Sequence, residues 1–153
     1  MTNAKETNYS SDIVEYFSTI HDINRISHAL VQRVFDAKQV DISSEQWKTL
    51  GIIYDCQPIT PIELSRQTFK NKGAVARVLA GLEKRELIKR LPTRKQNSYQ
   101  VALTDKGDEI LQQAYDLGHD TLARLTKDIS EPELSQAFEV LQRTLNAMTN
   151  ELE

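Results

Sequence analysis

Lys70, Lys72, Arg77 and Lys84 lie along one short stretch, "KNKGAVARVLAGLEK", interleaved with Gly73, Ala74, Ala76 and Ala80. Long cations beside the smallest side chains suit a helix that must sit deep in a groove. The backbone can approach closely, while ammonium and guanidinium groups reach phosphates or base edges. The major groove of B-DNA is about 12 Å wide and admits one α-helix. Asn71, Lys72, Gly73 and Ala74 would enter first, where free backbone N–H groups also favour phosphate. Val75, Val78, Leu79 and Leu82 fall in one arc of the helical wheel and are the candidate buried face. The alternative is a solvated amphipathic helix, in which Gly73 and Ala80 carry no meaning.

Charge distribution argues against that alternative. From Arg66 to Lys95 there are ten basic and two acidic residues, net +8, whereas the rest of the chain holds nine basic and twenty acidic, net −11. A solvated face usually mixes the two signs. One sign gathered in a fifth of the chain points to a polyanionic partner, with repulsion elsewhere limiting non-specific sticking. Lys89, Arg90, Arg94 and Lys95 form a second basic element just downstream. An acidic protein partner is the competing reading.

Other chemistries find little to work with. His21, His28 and His119 are scattered, with no paired nucleophile and no Gly-rich phosphate loop, so the chain reads as a non-enzyme without a cofactor. His21 and His28 are seven apart, two turns along one helix side, whereas metal ligands on a helix more often sit four apart. No metal site is expected. Cys56 is the single cysteine, so there is no disulfide framework. It reads as a small half-buried residue beside a turn, with a redox-sensing thiol as the alternative. At 39% apolar residues the chain can fold, and no run approaches the roughly 18 apolar residues of a membrane span. The opening "MTNAKETNYSSD" has no apolar core, so a cytoplasmic protein is expected.

The elements that would position these residues can be placed from periodicity and capping. A first helix is predicted from about Ser11 or Asp12 to Ala37, with apolar positions Ile13, Phe17, Ile20, Ile23, Leu30, Val31 and Val34. Ser43 and Gln46 form a capping box that opens a second helix through Trp47, Leu50, Ile53 and Tyr54. Thr60, Pro61 and Glu63 open a short third, "PIELSRQTF". After a break, a fourth runs from about Lys72 to Arg85, giving the outline of a helix-turn-helix. "LIKRL" and the alternating "SYQVALT" then predict a β-hairpin whose turn, "PTRKQN", is basic, and Arg94 or Lys95 at its tip could enter a minor groove. Thr104 caps a long helix to about Lys127. Ser130 and Glu133 cap a last one, whose Leu134, Phe138, Leu141, Leu145, Met148 and Leu152 follow the steps of a coiled-coil seam.

The segment from Ile42 to about Leu111 resembles the winged-helix core of the MarR family of bacterial transcriptional regulators. The resemblance rests on "QWKTL", "TPIELS", "KGAVARVLAGLEKRELI" and "YQVALTDKG" in register, with helices before and after agreeing in number and order. It implies a mainly α fold with a small β-hairpin wing, in one domain over residues 1–153. Helices at about 11–37 and 105–153 would form a homodimer around a core at about 42–104. It also implies a dimeric repressor on a palindromic operator in double-stranded DNA. By position, Asn71 caps the recognition helix, Lys72, Gly73, Ala74 and Ala76 face base edges, and Arg77 contacts bases or phosphate. The wing departs from the family: an Asp-x-Arg motif is missing and the loop is one residue shorter, leaving Arg94 and Lys95 as the tip cations. Relatives often take a small aromatic or phenolic effector between the dimerisation helices and the winged helix, where Tyr16, His21, His28, Trp47 and Tyr115 are the candidate lining groups.

Overall fold

Eight elements follow in chain order: α1 (Glu6–Ala37), α2 (Ser44–Cys56), α3 (Pro61–Thr68), α4 (Lys72–Lys84), β1 (Ile88–Pro92), β2 (Tyr99–Leu103), α5 (Asp105–Leu125) and α6 (Glu131–Asn150). The computed structural model describes residues 6–95 and 98–152. The predicted mainly α fold with one antiparallel hairpin is what forms. Two compact units result, Met1–Gly118 and His119–Glu153, divided within α5. No described helix is long and apolar enough to cross a membrane.

In the first unit the capping signals act as the sequence predicts. Ser43 accepts from Gln46 N–H at 3.0 Å while the Gln46 side chain accepts from Ser43 N–H at 3.1 Å. Thr60 and Glu63 make the same exchange at the start of α3, and Asn71 Oδ1 accepts from Ala74 N–H at 2.9 Å at the start of α4. Each such cap satisfies orphan backbone donors. α1 begins at Glu6, earlier than the expected Ser11 or Asp12, and no proline or glycine interrupts the residues between.

Phe35, Leu50, Ile53, Leu64, Leu79, Leu82, Leu87 and Val101 are fully buried and join α1 to α4 and the hairpin in one core. Burying each leucine contributes about 1.5–3 kcal/mol, so α4 is held on its Val75–Leu79–Leu82 face. β1 and β2 pair antiparallel, Ile88 opposite Leu103 and Pro92 opposite Tyr99. Ile59 adds a one-residue edge to β2, exchanging both backbone hydrogen bonds with Val101 at 3.1 and 2.8 Å. The strict alternation expected in β2 fails at Ala102, which is buried with Val101 and Leu103. It lies opposite Lys89, whose aliphatic stem is long enough to cover a methyl.

Gly107 marks the closest approach in this unit. A Cβ there would stand 1.9 Å from the Leu87 carbonyl oxygen. The same carbonyl accepts from Thr104 N–H at 3.1 Å, and the Thr104 hydroxyl accepts from Gly107 N–H at 3.0 Å. The "TDKG" turn thus fixes the start of α5 directly behind the wing.

The second unit contains the end of α5 and α6. Ser130 N–H and its hydroxyl both donate to Glu133 at the start of α6, at 2.8 and 2.6 Å. α6 has no buried residue at all, and Leu134, Phe138, Leu141, Leu145, Met148 and Leu152 are all exposed.

Candidate nucleic-acid interface

The turn between α3 and α4 sets where α4 begins. Ser65 donates its hydroxyl to the Lys70 carbonyl at 2.5 Å, and Lys70 N–H returns a bond to the Ser65 carbonyl at 3.2 Å. Phe69, expected to end the short helix, instead stands beyond it in the left-handed region at φ 52°, ψ 29°, with its N–H on the Arg66 carbonyl. The chain therefore reverses within two residues and delivers Asn71 to its capping position. Upstream, Glu63 is held below the ordinary carboxylate value by hydrogen bonds from the Thr60 hydroxyl and then from its backbone N–H, so the α3 cap is charged at neutral pH.

From Asn71 the outer face of α4 builds up as Gly73, Arg77, Ala80 and Lys84, in steps of four, three and four. All four are exposed, as are Lys72 and Ala76, and Ala74 is half-buried. A Cβ on Gly73 would meet only Asn71 Oδ1, at 3.4 Å, so nothing inside the fold requires glycine there.

The cations separate into two groups. Lys70 contacts the Glu45 carboxylate of α2, Arg85 pairs with Asp41 at 2.6 Å, and Arg90 pairs with Glu83 at 2.8 Å. Those three brace the protein. Arg66, Lys72, Arg77, Lys84, Lys89, Arg94 and Lys95 are exposed and make no ion pair among the described residues. Lys70 is thus the one member of the expected contact set whose charge is already engaged.

On the wing, Arg94 and Lys95 are exposed next to Gln96 and Asn97, the part of "PTRKQN" outside the described residues. The Thr93 hydroxyl lies 3.2 Å from the Lys95 carbonyl and 3.1 Å from that of Ser98, tying the two sides of the loop. The sequence shows no Asp-x-Arg motif here and gives no sign of this brace beyond the threonine itself. Any threonine in a turn is a candidate for such a bond.

The expected effector residues are not gathered together. His21 and His28 line one cleft of about 520 Å³ with Arg25, Lys48, Thr49 and Lys70. His28 Nδ1 is 3.1 Å from the Ser44 hydroxyl. Trp47 instead packs edge-on to Phe35, ring centroids 5.6 Å apart, and its Cη2 would lie 2.7 Å from a Cβ on Gly118. Its half-buried indole packs against the core. Tyr16 stands edge-on to its neighbour Phe17, and Tyr115 is exposed on α5. Cys56, expected to be half-buried, is exposed in the last turn of α2. Among the described residues no three His, Cys, Asp or Glu side chains come together as a metal ion would need.

Comparison with known proteins agrees with this architecture. The MarR family model matches residues 42–95. The multiple antibiotic resistance protein MarR of Escherichia coli is 28% identical over 137 residues, 88% of this chain and 94% of that one. The crystal structure of its wild-type apo form is 30% identical, with 84% of this chain and 95% of that chain covered and a TM-score of 0.69. The chain belongs to the MarR family of winged helix-turn-helix transcriptional regulators. A mutant E. coli MarR crystallised with operator DNA superposes with a TM-score of 0.77 at 29% identity, covering 88% of this chain and 96% of that one. The S. aureus MepR–DNA complex, at 21% identity and a TM-score of 0.75 with 87% and 96% covered, shares the MarR fold.

Proposed function

We propose that this MarR family member binds double-stranded DNA sequence-specifically, as a homodimer on a palindromic operator, and represses transcription. The observation that carries the reading is the outer face of α4. Arg77 and Lys84 stand exposed beside Gly73 and Ala80 and make no ion pair among the described residues, while Glu45, Asp41 and Glu83 are engaged by Lys70, Arg85 and Arg90. Unpaired lysines and arginines supply salt-sensitive affinity for phosphate, and Lys72, Gly73, Ala74, Ala76 and Arg77 supply base choice. Asn71 caps the helix that carries them, and Arg94 and Lys95 on the wing take the adjacent minor groove. Lys70, paired with Glu45, contributes less than its unpaired neighbours. The operator DNA bound by the E. coli relative supports the same reading.

The exposed apolar residues of α1 and α6 support the homodimer, since a second copy would cover them. Two-fold symmetry then sets half-sites about one helical turn, or roughly 10 bp, apart. A small aromatic or phenolic effector relieves repression by changing the spacing of the two recognition helices. His21 and His28 remain its candidate contacts, and Trp47 is assigned to the core. The protein acts in the cytoplasm and is not an enzyme.

The test is retention on a random-sequence duplex at rising salt. Strong binding at low salt with a steep log–log slope supports DNA as the partner. No retention at low salt overturns the reading and favours an acidic protein on the same face.

A further inference from the structure

Phe69 stands in an unusual place for a large apolar side chain. It is 63% exposed, lies outside the buried core, and makes no ring contact with another aromatic among the described residues. Its backbone occupies the left-handed region, which disfavours a side chain with a Cβ and which glycine or asparagine adopts more readily. The turn is closed by two hydrogen bonds between Ser65 and Lys70. A phenyl ring is therefore carried on a hydrogen-bonded turn and left exposed to solvent, although glycine or asparagine would make the same turn more readily.

The surroundings identify what covers it. No acidic residue occurs from Leu64 to Leu82, and Arg66, whose charge acts on Glu63 just upstream, and Lys72, three positions away on either side, are exposed cations that make no ion pair among the described residues. A second copy of this cationic surface would be repelled. A partner must carry negative charge and offer an apolar spot within reach of that charge. Duplex DNA does both: phosphates line the groove, and the thymine C5-methyl projects into the major groove where phenylalanine can pack on it.

We infer that Phe69 is a specificity-determining residue, its ring packing on a thymine methyl at the rim of the major groove entered by α4. The inference rests on the DNA-binding reading and adds a base preference to it. Phe69 thereby works beside Lys72 and Gly73, and contributes sequence choice without a phosphate contact.

The experiment uses the full-length protein, an operator sequence recovered from a random duplex pool, and the variants Phe69→Asn, Phe69→Gly and Phe69→Leu. Asn and Gly suit the left-handed turn, so both are expected to melt at or above the wild-type temperature. They are expected to lose about tenfold in affinity for the recovered site, with an unchanged log–log salt slope because no phosphate contact is removed. Phe69→Leu keeps an apolar contact and retains most of the affinity. Replacing one thymine per half-site by deoxyuridine, which lacks only the methyl, weakens wild-type binding but leaves Phe69→Asn unaffected. Equal affinity of wild type and Phe69→Asn, or loss without any thymine-methyl coupling, overturns the inference while leaving DNA binding intact. Failure of the wild type to bind any duplex instead overturns the DNA-binding reading, and the inference with it.

Discussion

Arg90 of β1 grips Glu83 of α4 with two nitrogens, Nε 2.8 Å from Oε1 and Nη2 2.8 Å from Oε2, while its guanidinium lies 4.3 Å from the centre of the Tyr99 ring. The hydrogen bond that Arg90 donates to Glu83 also raises the Arg90 pKa above the ordinary guanidinium value. Two-pronged geometry fixes orientation as well as distance. The last turn of the recognition helix and the first strand of the wing are thereby held as one body.

That link makes a prediction whose sign separates two effects. Glu83→Gln removes a negative charge from the cationic surface, so simple electrostatics calls for tighter DNA binding at every sequence. Loss of the clamp calls for weaker binding to the operator, because wing and helix no longer enter their grooves in register. We expect retention on random duplex to rise slightly and operator affinity to fall several-fold. Both groups are more than a third exposed, so the stability cost is only about 0.5–1 kcal/mol. Fluorescence anisotropy on both duplexes reads the contrast, and a parallel rise on both would show that the clamp is irrelevant to recognition.

Gly73 separates folding from binding. Since a Cβ there meets only Asn71 Oδ1 at ordinary contact distance, Gly73→Leu should fold with a stability change within about 0.5 kcal/mol. The added side chain projects from the outer face of α4 and should cost at least tenfold in operator affinity. Arg77→Ala, on the same face, should cost about 1–3 kcal/mol of binding. Thermal unfolding together with operator titration tests both. An unimpaired Gly73→Leu would mean that this face does not approach DNA.

Much of this architecture was legible in the sequence because local chemistry dictates it. Thr60–Glu63, Ser43–Gln46 and Asn71 are capping arrangements whose geometry needs no tertiary information, and the apolar steps of Val75, Leu79 and Leu82 fix the buried face of α4. Gly107 belongs to the "TDKG" motif, but its physical reason, the Leu87 carbonyl where a Cβ would go, needs the segment before β1 in place. Phe69 reads as the end of α3 because its apolar character fits a helix face, and nothing local announces a left-handed turn at a phenylalanine. Which cations are free was equally hidden. The partners of Lys70, Arg85 and Arg90 are Glu45, Asp41 and Glu83, and two of those lie far away in sequence. Residue type alone makes Trp47 a candidate effector contact, while its packing against Phe35 and Gly118 depends on how α1, α2 and α5 meet.

The α3 cap carries a pH dependence. The Glu63 carboxyl sits below its ordinary value of 4.5 because the charged form accepts from the Thr60 hydroxyl and backbone. A depressed folded-state pKa contributes stability that is fully present above the unfolded value and is lost as pH falls through the folded one. Glu63→Ala should therefore lower the melting temperature near neutral pH, and the gap to wild type should close below pH 4.5. Circular-dichroism melts of both proteins across that range are the measurement. A gap that persists undiminished at about pH 3 would assign the effect of the substitution to lost packing instead of the charged cap.

Leu141 tests the dimer. α6 buries none of its own residues, yet Leu134, Phe138, Leu141, Leu145, Met148 and Leu152 recur at the four- and three-residue steps of a coiled-coil seam. An amphipathic helix gains little stability without a surface on which to bury its apolar stripe. If a second copy provides that surface, Leu141→Glu places a carboxylate in it twice, once per protomer, and removing a charge from water without a partner costs several kcal/mol each time. The variant should sediment as a monomer at concentrations where the wild type is dimeric. Winged-helix folding should persist, because Leu79, Leu82 and the other core residues lie in a different unit. Such a monomer engages one half-site at a time, so its operator affinity should fall far more than its affinity for an isolated half-site. A Leu141→Glu protein that still sediments as a dimer would exclude this stripe as the seam and move the search for the interface to the exposed apolar residues of α1, beginning with Ile13, Phe17 and Ile23.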